Sequence, residues 1–334
     1  MRALVVGDVC LDRWCRYHPG LAEPSRETGI PRVAVTATEV TPGAAGTVAA
    51  NLAALGVGRV SVLGVIGDDG FGWELERSLT ARFISTHLLI RSPLVSTFTY
   101  TKLLNASTGA EDLPRLDFIN AVPLDSELES QVIHSLRENF PDFDVILVSD
   151  QAETSAGGVI TAKVREALAD FAGLGTGAVM ERQHTDDADG DRDKVIVVDS
   201  RARAEMFRNV ILKINRDEAD AACQRIGGDY RALREHTRSK LLVITHGADG
   251  ALVISKNPND DPGDTWVGAR PIQNPVDLCG AGDSFSAGAA VALAVTGSPL
   301  EAAQFGNLVA SVTITKKGTG TASPQELLEL ASFP

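Results

Sequence analysis

Val276-Asp277-Leu278-Cys279-Gly280-Ala281-Gly282-Asp283-Ser284-Phe285 runs directly into Ser286-Ala287-Gly288-Ala289-Ala290-Val291-Ala292-Leu293-Ala294, an uncharged, alanine-rich stretch that reads as a buried helix. The glycine turn therefore sits on a helix N-terminus. Free backbone N–H groups and the positive end of the helix dipole make such a turn an anion site, and residues 280 to 282 carry no side chain large enough to block a phosphate. Asp283 is at odds with that reading, because a carboxylate at the mouth of an anion hole repels a bound phosphate. The conflict resolves if Asp283 takes a proton from whatever attacks the phosphate. The pair is then a general base beside an oxyanion-type cradle, and the chemistry is phosphoryl transfer to a hydroxyl. A capped tight turn explains the same residues, since Asp is a common N-cap and Gly-Ala-Gly a common turn. Neither of the better-known phosphate loops fits. The chain has no Gly-Lys pair, which a Walker A loop requires, and Phe285 stands where a dinucleotide fingerprint needs its last glycine.

Upstream of the turn, short apolar runs rich in β-branched residues alternate with helical patterns. Residues 3–6, 60–63, 145–148, 195–198, 210–214 and 241–244 read as strands, and helices are expected near 45–56, 72–82, 126–138, 159–173 and 230–239. Strands that are apolar throughout and separated by helices form a parallel sheet covered on both faces. The expected fold is therefore α/β, a doubly wound, mostly parallel sheet with helices on both faces. Ligands of such sheets lie beyond the carboxyl ends of the strands, and the residues at those ends are polar here: Gly7-Asp8, Ser149-Asp150, Asp199-Ser200-Arg201, Asn215 and Thr245-His246-Gly247.

Two stretches break the alternation. Residues 30–41 and 94–104 have the period-two pattern of half-exposed strands without helices of their own, and are expected to pair as a small β lid over about 28–42 and 94–106. Exposed lid strands commonly pair with another lid, so a homodimer through the lid is expected. The acidic segments 175–194 and 257–264 read as solvated loops without chemistry.

At 334 residues, 44% hydrophobic, the chain can bury one large core. Its 31 Lys and Arg against 44 Asp and Glu leave a net charge of −13, which argues against nucleic acid or an anionic membrane as a partner. Residues 43–58 and 284–300 are uncharged but short and broken by Gly or Pro, so they read as core helices and not as membrane spans. Cys10, Cys15, Cys223 and Cys279 show no metal-ligand spacing, and no signal peptide opens the sequence; a reduced, cytoplasmic setting is expected.

Gly280-Ala281-Gly282-Asp283 occurs together with Asn215-Arg216-Asp217-Glu218, Gly67-Asp68-Asp69-x-Phe71-Gly72 and Pro42-Gly43-Ala44-Ala45-Gly46-Thr47-Val48-Ala49-Ala50-Asn51. In this combination the chain resembles the ribokinase/PfkB carbohydrate kinases, with the motifs in the family's order from Gly7-Asp8 to Lys316-Lys317-Gly318. Residues 7–13, the Ser25-Arg26-Glu27 entry to the lid and Pro42-Gly43 look most like the kinase domain of heptose-phosphate kinases of the RfaE type.

The resemblance implies one ribokinase-like kinase domain over 1–334, with ATP and Mg²⁺ as cofactors. It makes Asp283 the base that deprotonates the sugar hydroxyl, and the backbone of Gly280, Ala281 and Gly282 the holder of the transferred phosphoryl group. Glu218 would organise Mg²⁺ through water, with Asn215 beside the nucleotide; from the residues alone, the two equally form a helix capping box. Thr245, Gly247 and Gly250 match a nucleotide-side turn, although plain turn chemistry explains those glycines almost as well, and Asn307 is assigned to the same side. His246 has no partner pattern and reads as structural. Asp277 matches a position that supports a monovalent cation in several family members, which leaves the use of K⁺ open.

For the acceptor, the resemblance implies Asp12 as the acceptor of hydrogen bonds from two adjacent hydroxyls, with Gly43, Thr47, Asn51 and Lys102 around the pocket. Where the family usually carries a second glycine and then an asparagine, this chain has Ala44 and Thr47, a departure that bears on the acceptor and not on phosphoryl transfer. An acceptor that carries phosphate needs cations, and Arg26, Lys102, Arg201 and Arg203 are the candidates. The expected function is ATP-dependent phosphoryl transfer to a hydroxyl of a sugar or sugar phosphate. A kinase for another alcohol, such as a nucleoside or ketohexose phosphate, and a catalytically silent sensor are the alternatives. A chain of this length is not expected to hold the second, nucleotidylyltransferase domain of bifunctional heptose enzymes.

Overall fold

The computed structural model describes residues 1–152, 154, 156–174, 194–255 and 264–332. The two acidic loop segments, 175–194 and 257–264, fall outside the described residues except for 194 and 264. In chain order the elements are β1 (Arg2–Gly7), β2 (Val9–Tyr17), β3 (Val35–Ala44), α1 (Ala45–Ala54), β4 (Arg59–Gly67), α2 (Gly70–Thr80), β5 (Ser85–Ser92), β6 (Thr99–Asn105), β7 (Leu116–Phe118), α3 (Ser126–Asn139) and β8 (Val145–Asp150). They continue with α4 (Ala162–Leu174), β9 (Val195–Ser200), β10 (Ile211–Asn215), α5 (Arg216–Ile226), α6 (Tyr230–Thr237), β11 (Leu241–Thr245), β12 (Gly250–Ser255), β13 (Thr265–Gly268), α7 (Ala281–Thr296), α8 (Pro299–Thr313) and α9 (Pro324–Ser332).

Nine strands form one sheet in the order β13-β12-β11-β10-β9-β8-β1-β4-β5, parallel from β5 to β11 and antiparallel at the β12 and β13 edge. The expected doubly wound sheet is present. Alternation along each strand divides its side chains between two cores. Leu4, Val6, Ile146 and Val148 meet Leu128 and Val132 of α3 and Val164 and Leu168 of α4. Ala3, Val5 and Leu147 meet Val48 and Leu52 of α1, Leu75 of α2 and Ala287 of α7. The alanine-rich α7 buries almost without long side chains because it lies against α1 and α8 as well as the sheet.

The chain leaves β1 toward β4 and β5 on one side and returns to β8 on the other, so the strand order reverses at β1. A crevice opens where the connections on its two sides part. Asp8, buried at this point, accepts the N–H groups of Gln151 (2.8 Å) and Val159 (2.7 Å), and burial raises its carboxyl to about 6.

A second sheet, in the order β3-β2-β6-β7, stands over this crevice. The two stretches expected to pair as a lid are both in it, but they are not neighbours: β2 lies between β3, which it meets antiparallel, and β6, which it meets parallel. The reason is continuity, since β2 comes after β1 with only Asp8 between them and so carries the central sheet's chain directly into the lid. Regular pairing in β3 begins at Val35, later than the alternating pattern suggests.

Candidate active site

A cavity of about 200 Å³ lies between the lid and the carboxyl ends of the central strands, with Asp12 on its lid wall and Gly280 and Asp283 on its floor. The floor is the start of α7. Gly280, the residue that caps it, has φ 77°, and a Cβ there would come within 3.1 Å of Thr47 Cγ2 and 3.3 Å of Thr319 Cγ2. A Cβ on Gly282 would come within 3.1 Å of Lys213 Nζ. Among the first amides, Ala281 donates to the Leu278 carbonyl and Ser284 to that of Gly280, while Gly282 and Asp283 have no carbonyl one turn back inside the helix. The turn therefore presents the Gly282 and Asp283 amides at the positive end of a helix, a geometry that can hold an anion.

Lys213, on β10, is buried beneath Gly282, with Nζ 2.5 Å from Asp199 Oδ2; Ser286 Oγ donates to the same oxygen at 3.3 Å. Burial disfavours the ammonium, but the Asp199 charge outweighs it and holds Lys213 above its ordinary value. Asp283 is pushed up to about 7, first by burial and then by the Asp199 charge, against the pull of Lys213. A carboxyl with that value is poised to exchange a proton near neutrality. At the start of α5, Glu218 N donates to Asn215 Oδ1 (2.9 Å) and Asn215 N donates to Glu218 Oε2 (2.8 Å), so the capping box is formed. The cap engages one of the two carboxylate oxygens, and burial followed by the Asp199 charge pushes Glu218 up. Among the described residues, no three His, Cys, Asp or Glu side chains are grouped as a metal cage.

On the lid wall, Asp12 and Lys102 sit on neighbouring strands, with Asp12 in register with Tyr100. A Cβ on Gly43 would fall 2.6 Å from Asp12 Oδ2 and 2.5 Å from Cys10 Sγ, so only glycine lets the carboxylate lie against β3. Burial raises Asp12 to about 6, while Lys102 and Arg115 pull it down. Lys102 and Arg201 both line the cavity, whereas Arg26 is exposed in the loop before β3 and does not. Arg203 is committed elsewhere: its guanidinium grips the Asp150 carboxylate and reaches the Gly157 carbonyl at 3.4 Å.

The other expected site residues divide between the cavity and the framework around it. Thr47 lines the cavity, but its hydroxyl donates to the Pro42 carbonyl at 3.1 Å. Asn51 has no surface in the cavity; fully buried, it donates to the carbonyls of Thr47 (3.0 Å) and Gly320 (3.4 Å), because its place on α1 turns it toward the 320 segment. Thr245 ends β11 in register with Asn215, and Gly247, with φ 58°, has open space where a side chain would be. Gly250 serves the sheet edge, since a Cβ there would fall 2.2 Å from the Val267 carbonyl. Asn307 serves the same edge by donating to the carbonyls of Val267 (3.2 Å) and Gly268 (3.3 Å). Asp277 accepts the N–H groups of Cys279 (2.9 Å) and Gly318 (3.1 Å), which holds the glycine turn against the 318 segment. His246 packs edge-on against Trp266, 5.0 Å between ring centres.

Lys213 and Arg115 stand at this site without an assignment from sequence, and Asp199 was named only as a polar strand end. Lys213 was legible as the one charge inside the apolar run Ile211-Leu212-Lys213-Ile214, which requires a buried partner, and Asp199 is that partner. Arg115 was not legible, because it immediately precedes β7, which is only three residues long and shows no period.

Residues 177–326 match the model of the pfkB family of carbohydrate kinases. Over 337 aligned residues the chain is 29% identical to the bifunctional protein HldE of Trichlorobacter lovleyi, covering 100% of this chain and 63% of that protein. It thus spans less than two thirds of the length of this curated relative. Among solved structures it is similar to phosphofructokinase-2 of Escherichia coli (TM-score 0.70, 17% identity, covering 100% of this chain and 99% of that one). It is also similar to a ribokinase of Thermotoga maritima (TM-score 0.69, 18% identity, covering 99% of each chain), a likeness of fold.

Proposed function

We propose that this chain, whose residues 177–326 match the pfkB family of carbohydrate kinases, transfers a phosphoryl group from ATP to a hydroxyl of a sugar or sugar phosphate. The observation that carries the proposal is the position of Asp283. Its carboxyl, raised to about 7, opens on the same small cavity as Asp12 and stands in the first turn of α7, beside amides free to hold an anion.

In this reading Asp12 accepts hydrogen bonds from acceptor hydroxyls and so orients the attacking one toward Asp283, which takes its proton as the oxygen attacks phosphorus. The amides of Gly282 and Asp283, with Lys213 beneath them, stabilise the charge that gathers on the transferred group. Asn215, Thr245 and Gly247, at the carboxyl ends of β10 and β11, would hold the nucleotide. The Glu218 carboxylate, with one oxygen outside the cap, suits Mg²⁺ held through water, an ion that takes few protein oxygens and when bound would neutralise phosphate charge. Asp277, with N–H donors on both oxygens, is arranged as a loop anchor, and no step is assigned to K⁺. Lys102 and Arg201, with positive charge added by Arg115, whose guanidinium donates to Asp117, favour an acceptor that already carries phosphate. Exposed apolar residues on the lid, Val35 (45%), Leu116 (53%) and Phe118 (43%), support its pairing with a second copy.

The test is ADP release with Mg²⁺ and ATP over a panel of sugars, sugar phosphates and nucleosides. Turnover is expected with a sugar or sugar phosphate. Absence of ADP release with every acceptor would overturn the proposal and leave a binding protein.

A further inference from the structure

The cavity has two unlike walls. One is charged and carries Asp12, Lys102, Arg115 and Arg201. The other surrounds Gly280 and is formed by Thr47, Thr319 and Ala44, with Cys10, beside Asp12, and Cys279 at its border. Both threonines turn their methyl groups to Gly280, since a Cβ there would meet Thr47 Cγ2 at 3.1 Å and Thr319 Cγ2 at 3.3 Å. Both hydroxyls are used elsewhere: that of Thr47 donates to the Pro42 carbonyl at 3.1 Å, and that of Thr319 pairs with Thr41 Oγ1 at 3.0 Å. Ala44 adds only a methyl group. Burial pushes Cys279 up to about 11 and Cys10 up as well, so both stay neutral thiols, which are weak hydrogen-bonding groups.

We infer that this wall selects the acceptor: beside Thr47 and Gly280 the enzyme takes a carbon that bears no free hydroxyl, a deoxy position or one whose hydroxyl is turned away. A hydroxyl directed at the methyl groups of Thr47, Thr319 and Ala44 exchanges water for carbon contacts, whereas a C–H group loses nothing there. The inference rests on the kinase reading and adds to it a class of acceptor. Thr47 and Ala44 are then specificity-determining residues, and they stand at the two places where the chain departs from the usual motif.

The test uses the whole chain with Mg²⁺ and ATP. It measures kcat/KM for the best acceptor of the ADP-release panel and for each of its monodeoxy analogues, in wild type and in T47N. At one position the wild type is expected to use the deoxy analogue at least as well as the parent. At that position alone, T47N, which puts an amide on the wall, is expected to shift the ratio toward the parent by about tenfold. A44S adds a single hydroxyl to the same wall, should shift the ratio in the same direction, and replaces T47N if circular dichroism shows that T47N does not fold. Wild-type rates about tenfold or more lower for every deoxy analogue, or a ratio that neither substitution moves, overturns the inference. Failure of the kinase reading is distinguishable, because the wild type then releases no ADP with any acceptor.

Discussion

Lys213 Nζ lies 2.5 Å from Asp199 Oδ2, both are buried, and the pair sits directly under the glycine turn that carries Asp283. Burying two charges in this way gains little stability, because desolvation offsets most of their attraction. What the pair does provide is an ammonium fixed at an anion site and a negative charge that helps keep Asp283 protonated up to about pH 7.

Lys213→Met strands Asp199 as a buried, unpaired charge, and urea unfolding is expected to show a loss of about 3–5 kcal/mol. The double variant Lys213→Met with Asp199→Leu should recover most of that stability and none of the turnover. A double variant as unstable as the single one would mean that packing, and not charge, is what Lys213 supplies.

The rate should track the ionisation of Asp283. A base must be deprotonated to act, so kcat/KM is expected to fall about tenfold per pH unit below pH 7 and to level off above it. Initial rates between pH 5.5 and 8.5 check this, and a flat profile across pH 7 would exclude Asp283 as the titrating base.

Stability should run the other way. The folded value of about 7 lies above the ordinary 3.8, so the fold favours neutral Asp283. Its stabilising contribution is complete below about pH 4 and is lost as pH rises through 7. Asp283→Asn, which cannot ionise, is therefore expected to be more stable than wild type at pH 8 by about 1–3 kcal/mol, discounted for the solvent in the cavity, with the gap closing by pH 4. Thermal unfolding at the two pH values measures it.

Ala44 holds φ 50° and ψ −119°, a conformation that costs a non-glycine residue about 1–3 kcal/mol. Ala44→Gly releases that strain at a smaller cost in chain entropy, and a gain of about 1 kcal/mol in urea unfolding is expected. A loss would mean that the Ala44 methyl contributes more packing than the backbone costs.

The central sheet was legible because its inner strands are apolar on both faces and succeed one another through helices, which leaves few arrangements. The β12 and β13 edge was not, being two short segments bounded by glycine. In the lid, β2 gives no sequence signal because its residues are buried in a block and not in alternation, so it shows no period. The glycine turn with Asp283 could be read directly, since helix N-terminus, small residues and acid are contiguous. Roles that depend on which way a side chain turns were not legible. Asn51 and Asn307 bind backbone carbonyls, Arg203 grips Asp150, and Thr47 presents its methyl group to the cavity floor.

Asp283→Asn, assayed for kcat with the best acceptor alongside ATP binding by calorimetry, tests the assignment of the base most directly. Loss of at least about 100-fold in kcat, or about 3 kcal/mol of barrier, with ATP affinity within about twofold of wild type, is the expected result. Near-normal turnover would contradict the assignment of Asp283 as the base.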